Sequence, residues 1–136
     1  MIAINTKPNL EDRLIGPEYP YESKEESSIA KMLDSYGIPF LYKQPTLVIE
    51  NGKRMIEYAD FFLPTYNGLA IDYIIESNSA IYRRKKNIYQ DNQIPAVFMT
   101  RKDVRGADWQ NKLYHTIERM YRNPTGYRNN QNKRYG

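Results

Sequence analysis

Residues 57–76 read EYADFFLPTYNGLAIDYIIE. Two apolar, β-rich runs flank the turn residues Pro64, Thr65, Tyr66, Asn67 and Gly68. Runs of this kind around a turn of Pro, Asn and Gly predict a β-hairpin. Each run carries one acid, Asp60 in the first and Asp72 in the second. Asp is depleted in strands and costly to bury unpaired, so its presence in both strands calls for a chemical reason.

The turn decides where these acids point. A two-residue Asn67-Gly68 turn pairs Leu63 with Asp72 and sets Asp60 against Ile75, on the opposite side of the sheet from Asp72. A five-residue loop, 64–68, pairs Leu63 with Leu69 and sets Asp60 opposite Asp72. Pro64 has no N–H to give to a ladder and favours the longer loop. Directly opposed residues have Cβ atoms roughly 4.5–5.5 Å apart, where like charges repel. A divalent cation turns that repulsion into a binding site, and hard oxygen ligands at short separation suit Mg²⁺ or Mn²⁺.

Upstream of the hairpin, residues 40–50 read as a further strand, with Asn51-Gly52 as a type I′ turn into the strand 53–63. That turn pairs Glu50 with Lys53 and Leu47 with Ile56. The third strand is expected over 69–76, which completes an antiparallel meander. Ahead of the meander, Ser23 and Glu26 have the capping-box spacing, and Ile29, Met32, Leu33 and Tyr36 mark the apolar face of a helix. Gly37 and Pro39 end it. Residues 1–21 contain three Pro and no clear period, and read as an extended arm.

Downstream, 77–92 is a second helix capped by Ser77 or Ser79, with the basic run Arg83-Arg84-Lys85-Lys86. Such a run is ordinarily a solvated face, and Arg84 is assigned to one. Lys85 differs because it shares a face with Ile81 and Ile88. Residues 94–100, IPAVFMT, are consistent with a short buried strand. A strand after a helix implies a crossover and parallel pairing with an earlier strand. Asp108 is expected to cap a last helix with Trp109, Leu113, Ile117, Met120 and Tyr121 as its core stripe. His115 lies off that stripe and reads as a surface residue.

Composition bounds the function. A chain of 136 residues is expected to form one domain. It has no Cys, which excludes disulfides and Cys-based zinc sites, and one His, which argues against a histidine-rich metal centre or a Ser-His hydrolase. No stretch could span a membrane and no signal peptide is evident, so an intracellular, cytoplasmic protein is expected. The net charge of +4 leans mildly towards polyanions. No acid follows Glu118, and 123–136 reads NPTGYRNNQNKRYG. This basic polar tail, with Arg128, Lys133 and Arg134, reads as a flexible segment able to grip phosphates, appended to a domain over 1–122.

Asp60-Phe61-Phe62-Leu63-Pro64 followed by Ile71-Asp72-Tyr73 resembles the PD-(D/E)XK nuclease superfamily. Its pattern is Pro-Asp-Phe-x-Leu-Pro, a turn, then Ile-Glu-Tyr. Here Ala59 replaces the Pro, Asp72 replaces the Glu, and the lysine expected two residues after the second acid falls on Ile74. The helix start Ser-x-x-Glu-x-x-Ile-Ala and the following Tyr-Gly-Ile-Pro-Phe also resemble small members of the superfamily. So does Lys85, placed four residues before Tyr89, with Asn92 and Ile94 beyond.

The resemblance implies a restriction-endonuclease-like α+β fold, an αβββαβα core with a mixed sheet flanked by helices. It implies that Asp60, Asp72 and the Tyr73 carbonyl ligate Mg²⁺ or Mn²⁺, with Glu26 joining directly or through water, although Glu26 also reads simply as part of a capping box. In several branches the site lysine has moved to the second helix, which implies Lys85 here, with Lys86 as the fallback. The activity implied is metal-dependent hydrolysis of DNA phosphodiester bonds in repair, recombination, or mobile-element and phage DNA processing, by a homodimer. Arg83, Lys86 and the tail would hold the DNA backbone. Ile74 motivates a different reading, a catalytically silent nucleic-acid-binding module on the same fold. A third is a structural subunit with an incidental acid pair, which acids on opposite sheet faces would support. The residues leave DNA structure preference, and DNA against RNA, open.

Overall fold

The computed structural model describes residues 21–123. The N-terminal arm up to residue 20 and the basic tail from 124, with Arg128, Lys133 and Arg134, lie outside the described residues. The elements run α1 (Lys24–Ser35), β1 (Leu41–Glu50), β2 (Lys53–Leu63), β3 (Leu69–Tyr73), α2 (Ala80–Asp91), β4 (Ala96–Met99), α3 (Arg101–Arg105) and α4 (Trp109–Arg122). The architecture is α+β: a four-stranded open mixed sheet with four helices. Strand order is β1-β2-β3-β4, with β4 added parallel to β3 after the α2 crossover.

Turn chemistry sets the register. Asn51 and Gly52 both adopt positive φ, at 54° and 78°, as a type I′ turn requires. Glu50 therefore meets Lys53, and Leu47 meets Ile56. The second turn is the longer one. Pro64–Tyr66 forms a 3₁₀ turn, Asn67 and Gly68 follow at positive φ, and Leu63 pairs with Leu69. A Cβ on Gly68 would lie 3.2 Å from the Phe62 ring, so glycine fits this position on both counts.

Two cores flank the sheet. On one side Ile29 and Leu33 of α1 pack with Phe61 and Leu63 of β2, Ile71 of β3 and Ile117 of α4. On the other, Ile88 and Tyr89 of α2 pack on Val48, Ala59, Ala70 and Ala96. Ala59 and Phe61 are two apart in one strand, yet they serve opposite cores. Side chains of a regular strand alternate with period two, so the alternation is interrupted between them, at Asp60. Across the ladder, Tyr42–Phe61 and Gln44–Ala59 pairs bracket Lys43, which has a left-handed φ of 55°. The interruption lies on both strands at the same level.

Several local expectations are corrected. β3 stops at Tyr73, short of Glu76, where its partner β4 ends at Met99, whose carbonyl takes the Ile74 N–H at 2.9 Å. Ser79 caps α2, and α3 is an additional short helix closed by a Thr100–Asp103 capping box. Asp108 does start α4, but at a left-handed φ of 58° and without a side-chain cap bond. Tyr121 is largely exposed and rests edge-on against Tyr66 instead of joining the core stripe. His115 is exposed.

β1 is the sheet edge, and Asn92 closes part of it. Its Oδ1 accepts the Ile49 N–H at 2.9 Å, and its Nδ2 donates to the Ile49 carbonyl at 3.0 Å. One side-chain amide thus stands where a neighbouring strand would. Asn92→Ala leaves both backbone groups without this partner and is expected to cost about 1–2 kcal/mol. The denaturant midpoint should fall, with the slope unchanged.

Candidate active site

Residues distant in sequence meet where the alternation breaks. Asp60 (β2) and Asp72 (β3) are 6% and 1% exposed, so both carboxylates need partners. Each takes a backbone N–H from the facing strand. Asp72 Oδ1 accepts from Asp60 N at 2.6 Å, and Asp60 Oδ2 accepts from Tyr73 N at 2.8 Å. The β2–β3 ladder runs from Leu63–Leu69 to Phe61–Ile71 and ends one step before the acids. The two carboxylates replace the regular backbone pairing there.

Their remaining oxygens part company. Asp72 Oδ2 turns to α2, accepting from Lys85 Nζ at 3.0 Å and from the Tyr89 hydroxyl at 2.6 Å. Lys85 also donates to the Tyr58 carbonyl at 2.8 Å and lies 3.6 Å from Glu57. Lys85 reaches the acid because α2 crosses over β2 and β3, which aligns its inward face with Asp72. Tyr89, one turn further along α2, completes the clamp. Its hydroxyl is pushed above its ordinary pKa by burial and then by the Asp72 charge, so it remains a donor.

Asp60 Oδ1 turns instead to Lys43, whose Nζ lies 2.5 Å away. The same ammonium is 2.9 Å from Glu22 and 3.8 Å from Glu26. Glu26, on α1 and 4% exposed, is only half of a capping box. Ser23 Oγ accepts the Glu26 N–H, but the Glu26 carboxylate reaches into the site and accepts from the Tyr42 hydroxyl. Burial, then the charge of Asp72, raise the Asp60 carboxyl pKa above its ordinary value, against the pull of Lys43. Burial also raises Glu26, with the Tyr42 bond opposing it and the Asp60 charge adding to it. Burial works against the Lys43 charge, but the bond to Asp60 and the neighbouring acids outweigh it and hold the ammonium above its ordinary pKa.

A cleft of about 440 Å³ opens onto Glu26, Lys43, Asp60, Tyr73 and Lys85. Ile74, where the resembled pattern has lysine, is buried at the wall, while Ile75 and Ile81 form an exposed apolar lip. Arg84 is not the free solvated cation expected of it. It pairs with Glu50 at 3.0 Å and Glu57 at 3.2 Å, tying α2 to the β1–β2 hairpin. Glu57 thus pairs with two cations of α2, Arg84 and Lys85. Arg83 is exposed and donates to the Asn78 carbonyl at 2.5 Å, while Lys86 lies over the Tyr82 ring.

The structure thus gathers Glu26, Asp60, Asp72, Tyr73 and Lys85 in one place. Lys43 was not among the residues foreseen. A signal for it existed, because the register that pairs Leu47 with Ile56 also sets Lys43 opposite Asp60. Tyr42 carries no comparable sequence signal, since tyrosine is ordinary in a strand, while Tyr89 stood in the resembled pattern only as a spacing mark after Lys85.

Could these residues hold a divalent ion? Among the described residues no three acidic or histidine side chains converge tightly enough to form a ready-made centre. The donor chemistry does fit. Two buried carboxylates, Glu26 and Asp60, and the exposed Glu22 surround a position already taken by a cation, the Lys43 ammonium, and all offer hard oxygen ligands. The acids are spread around an ammonium, where an ion would draw them in.

No family model matches the chain, and no match emerges among curated proteins or solved structures. Among the described residues no helix is long and apolar enough to cross a membrane.

Proposed function

We propose that the chain is a divalent-metal-dependent endonuclease hydrolysing DNA phosphodiester bonds, with a restriction-endonuclease-like core. The observation that carries this reading is the meeting of Asp60, Asp72 and Lys85, with Asp60 and Lys85 lining one cleft and Asp72 buried beside it. Two acids from adjacent strands and an ammonium from the crossover helix lie within hydrogen-bond reach of one another or of each other's backbone. Chains of this size do not usually bury two acids without a task for them.

Asp60, Asp72, Glu26 and the Tyr73 carbonyl would hold Mg²⁺ or Mn²⁺, whose chemistry is to polarise a phosphate oxygen and acidify a bound water. Lys85 takes the part of the lysine displaced from Ile74. Anchored by Asp72 and the Tyr58 carbonyl, its charge is preorganised beside the acids, where it stabilises negative charge as it develops. The outer face of α2, through Arg83 and Lys86, faces the DNA backbone. Affinity then falls steeply with salt. The reading places the protein in DNA repair, recombination or mobile-element and phage DNA processing, as a homodimer.

One observation favours a second reading, a catalytically silent nucleic-acid-binding module. An ammonium already neutralises Asp60, and the motif position is the buried apolar Ile74. Labelled linear, flapped and four-way DNA incubated with Mg²⁺ or Mn²⁺ separates the two. Cleavage should require the metal, stop with chelator, and disappear in Asp72→Asn. Intact DNA throughout, with salt-sensitive binding, would establish the silent module.

A further inference from the structure

Lys43 is an anomaly on three independent counts. It adopts a left-handed φ of 55° at the third residue of a ten-residue strand, a conformation that non-glycine side chains rarely adopt. It stands across from Asp60, at the level where both strands lose their side-chain alternation. And its ammonium reaches three carboxylates, Asp60, Glu22 and Glu26, the last two from the start of α1 and the residues just before it.

A left-handed residue in a strand is strained unless its surroundings compensate. The compensation here is electrostatic. In a regular strand alternation would continue through position 43, and the lysine would have no reason to leave it. The departure turns the side chain into the cleft, between α1 and β2, where buried Glu26 and Asp60 face one another. With Lys43 removed, both carboxylates would sit in a partly water-free cleft with only Tyr42, a Tyr73 N–H and water to oppose their repulsion.

We propose that Lys43 is the resident cation of this acidic cleft, holding Glu22, Glu26 and Asp60 together and giving up its place when a divalent cation binds. This rests on reading the cleft as a divalent-cation site. Lys43 and Lys85 then have separate tasks. Lys85 is anchored on Asp72, which does not bond Lys43, and keeps its place. Lys43 is 32% exposed, at the open side of the acids, and can swing towards solvent. Once displaced it remains on the cleft wall as a positive charge for an incoming phosphate. The device keeps the acids ordered without metal and sets a threshold, since binding must first break the Lys43 contacts.

The test is Mn²⁺ binding to the full chain by titration calorimetry, without DNA. Lys43→Gly is the informative variant, because glycine adopts the left-handed conformation without strain while the side chain and its ammonium are removed. Lys43→Gln, which keeps an uncharged polar side chain one atom shorter, guards against a backbone effect. Both should bind Mn²⁺ about tenfold more tightly or better than the unaltered protein, since a competing charge is gone. Without metal both should melt lower, and Mn²⁺ should raise their melting temperature further than it raises that of the unaltered chain. Equal or weaker Mn²⁺ affinity in both variants, with native circular dichroism and binding by the unaltered chain, would overturn the role of Lys43 and leave the nuclease reading standing. Mn²⁺ binding by the variants alone would uphold the role of Lys43 and move the chain to the silent module. No Mn²⁺ binding by any of the three would overturn both.

Discussion

Lys85→Met is expected to lower the single-turnover rate of metal-dependent DNA cleavage by about 10²–10³-fold, with DNA affinity nearly unchanged. Lys85 is only partly exposed, and its ammonium is fixed by the Asp72 carboxylate and the Tyr58 carbonyl. A charge held in place before the reaction needs no reorganisation when charge develops, which is why its loss acts on the chemical step. Met retains most of the stem and its packing between Ile88 and the hairpin. Lys86→Met is the companion variant. Lys86 lies over the Tyr82 ring on the neighbouring face, so its loss should weaken binding across all sequences and flatten the salt dependence by about one ion. If cleavage survives Lys85→Met and disappears in Lys86→Met, the lysine role passes to Lys86.

Asp72→Ala should destabilise the fold by about 3–5 kcal/mol, the largest stability effect expected of any acid here. Asp72 is almost wholly buried and accepts three hydrogen bonds, from the Asp60 N–H, Lys85 and Tyr89. Alanine leaves those donors facing each other, including a half-buried ammonium that keeps only the more distant Glu57 as its counter-charge. A single domain has only about 5–15 kcal/mol of stability, so this variant is expected to be marginal at 37 °C. Asp72→Asn is gentler because its carbonyl still accepts from the Asp60 N–H while its amide NH₂ can donate to the Tyr89 hydroxyl oxygen. Urea unfolding of the two variants, beside their cleavage rates, separates fold from chemistry. Asn should keep most of the stability and lose the cleavage, while Ala loses both.

The register of the meander was legible because its turns are governed by single residues. Asn51-Gly52 admits few alternatives, and Pro64 excludes the tight turn that would have sent Asp60 to Ile75. The helix start at Ser23 was legible for the same reason, since a hydroxyl at the cap has one main use, while at the second helix Ser77 and Ser79 offered the same chemistry and only the structure selects Ser79. Less legible was anything depending on two elements at once. The parity of β2 predicts one face for Ala59 and Phe61, and nothing local says that a lysine across the ladder interrupts it. Arg84 looked like one more solvated cation of a basic run. Its engagement of Glu50 and Glu57 depends on how α2 lies across the hairpin. Glu26 shows both sides. Its place on α1 was readable, but whether its carboxylate folds back on the cap or reaches Tyr42 is decided by where β1 passes.

The outer margin of β1 has a bearing on how the protein behaves in concentrated solution. An uncovered strand is a template on which a second polypeptide can grow a sheet. This margin is broken up along its length. Pro45 offers no N–H, Asn92 occupies both main-chain groups of Ile49, and the backbone turns out of extended geometry at Lys43. An added strand would find no uninterrupted row of partners. The same left-handed residue that brings an ammonium to the acids thus also spoils the margin for fibril-like growth, and exchanging it or Asn92 should make the protein more prone to self-association as its concentration rises.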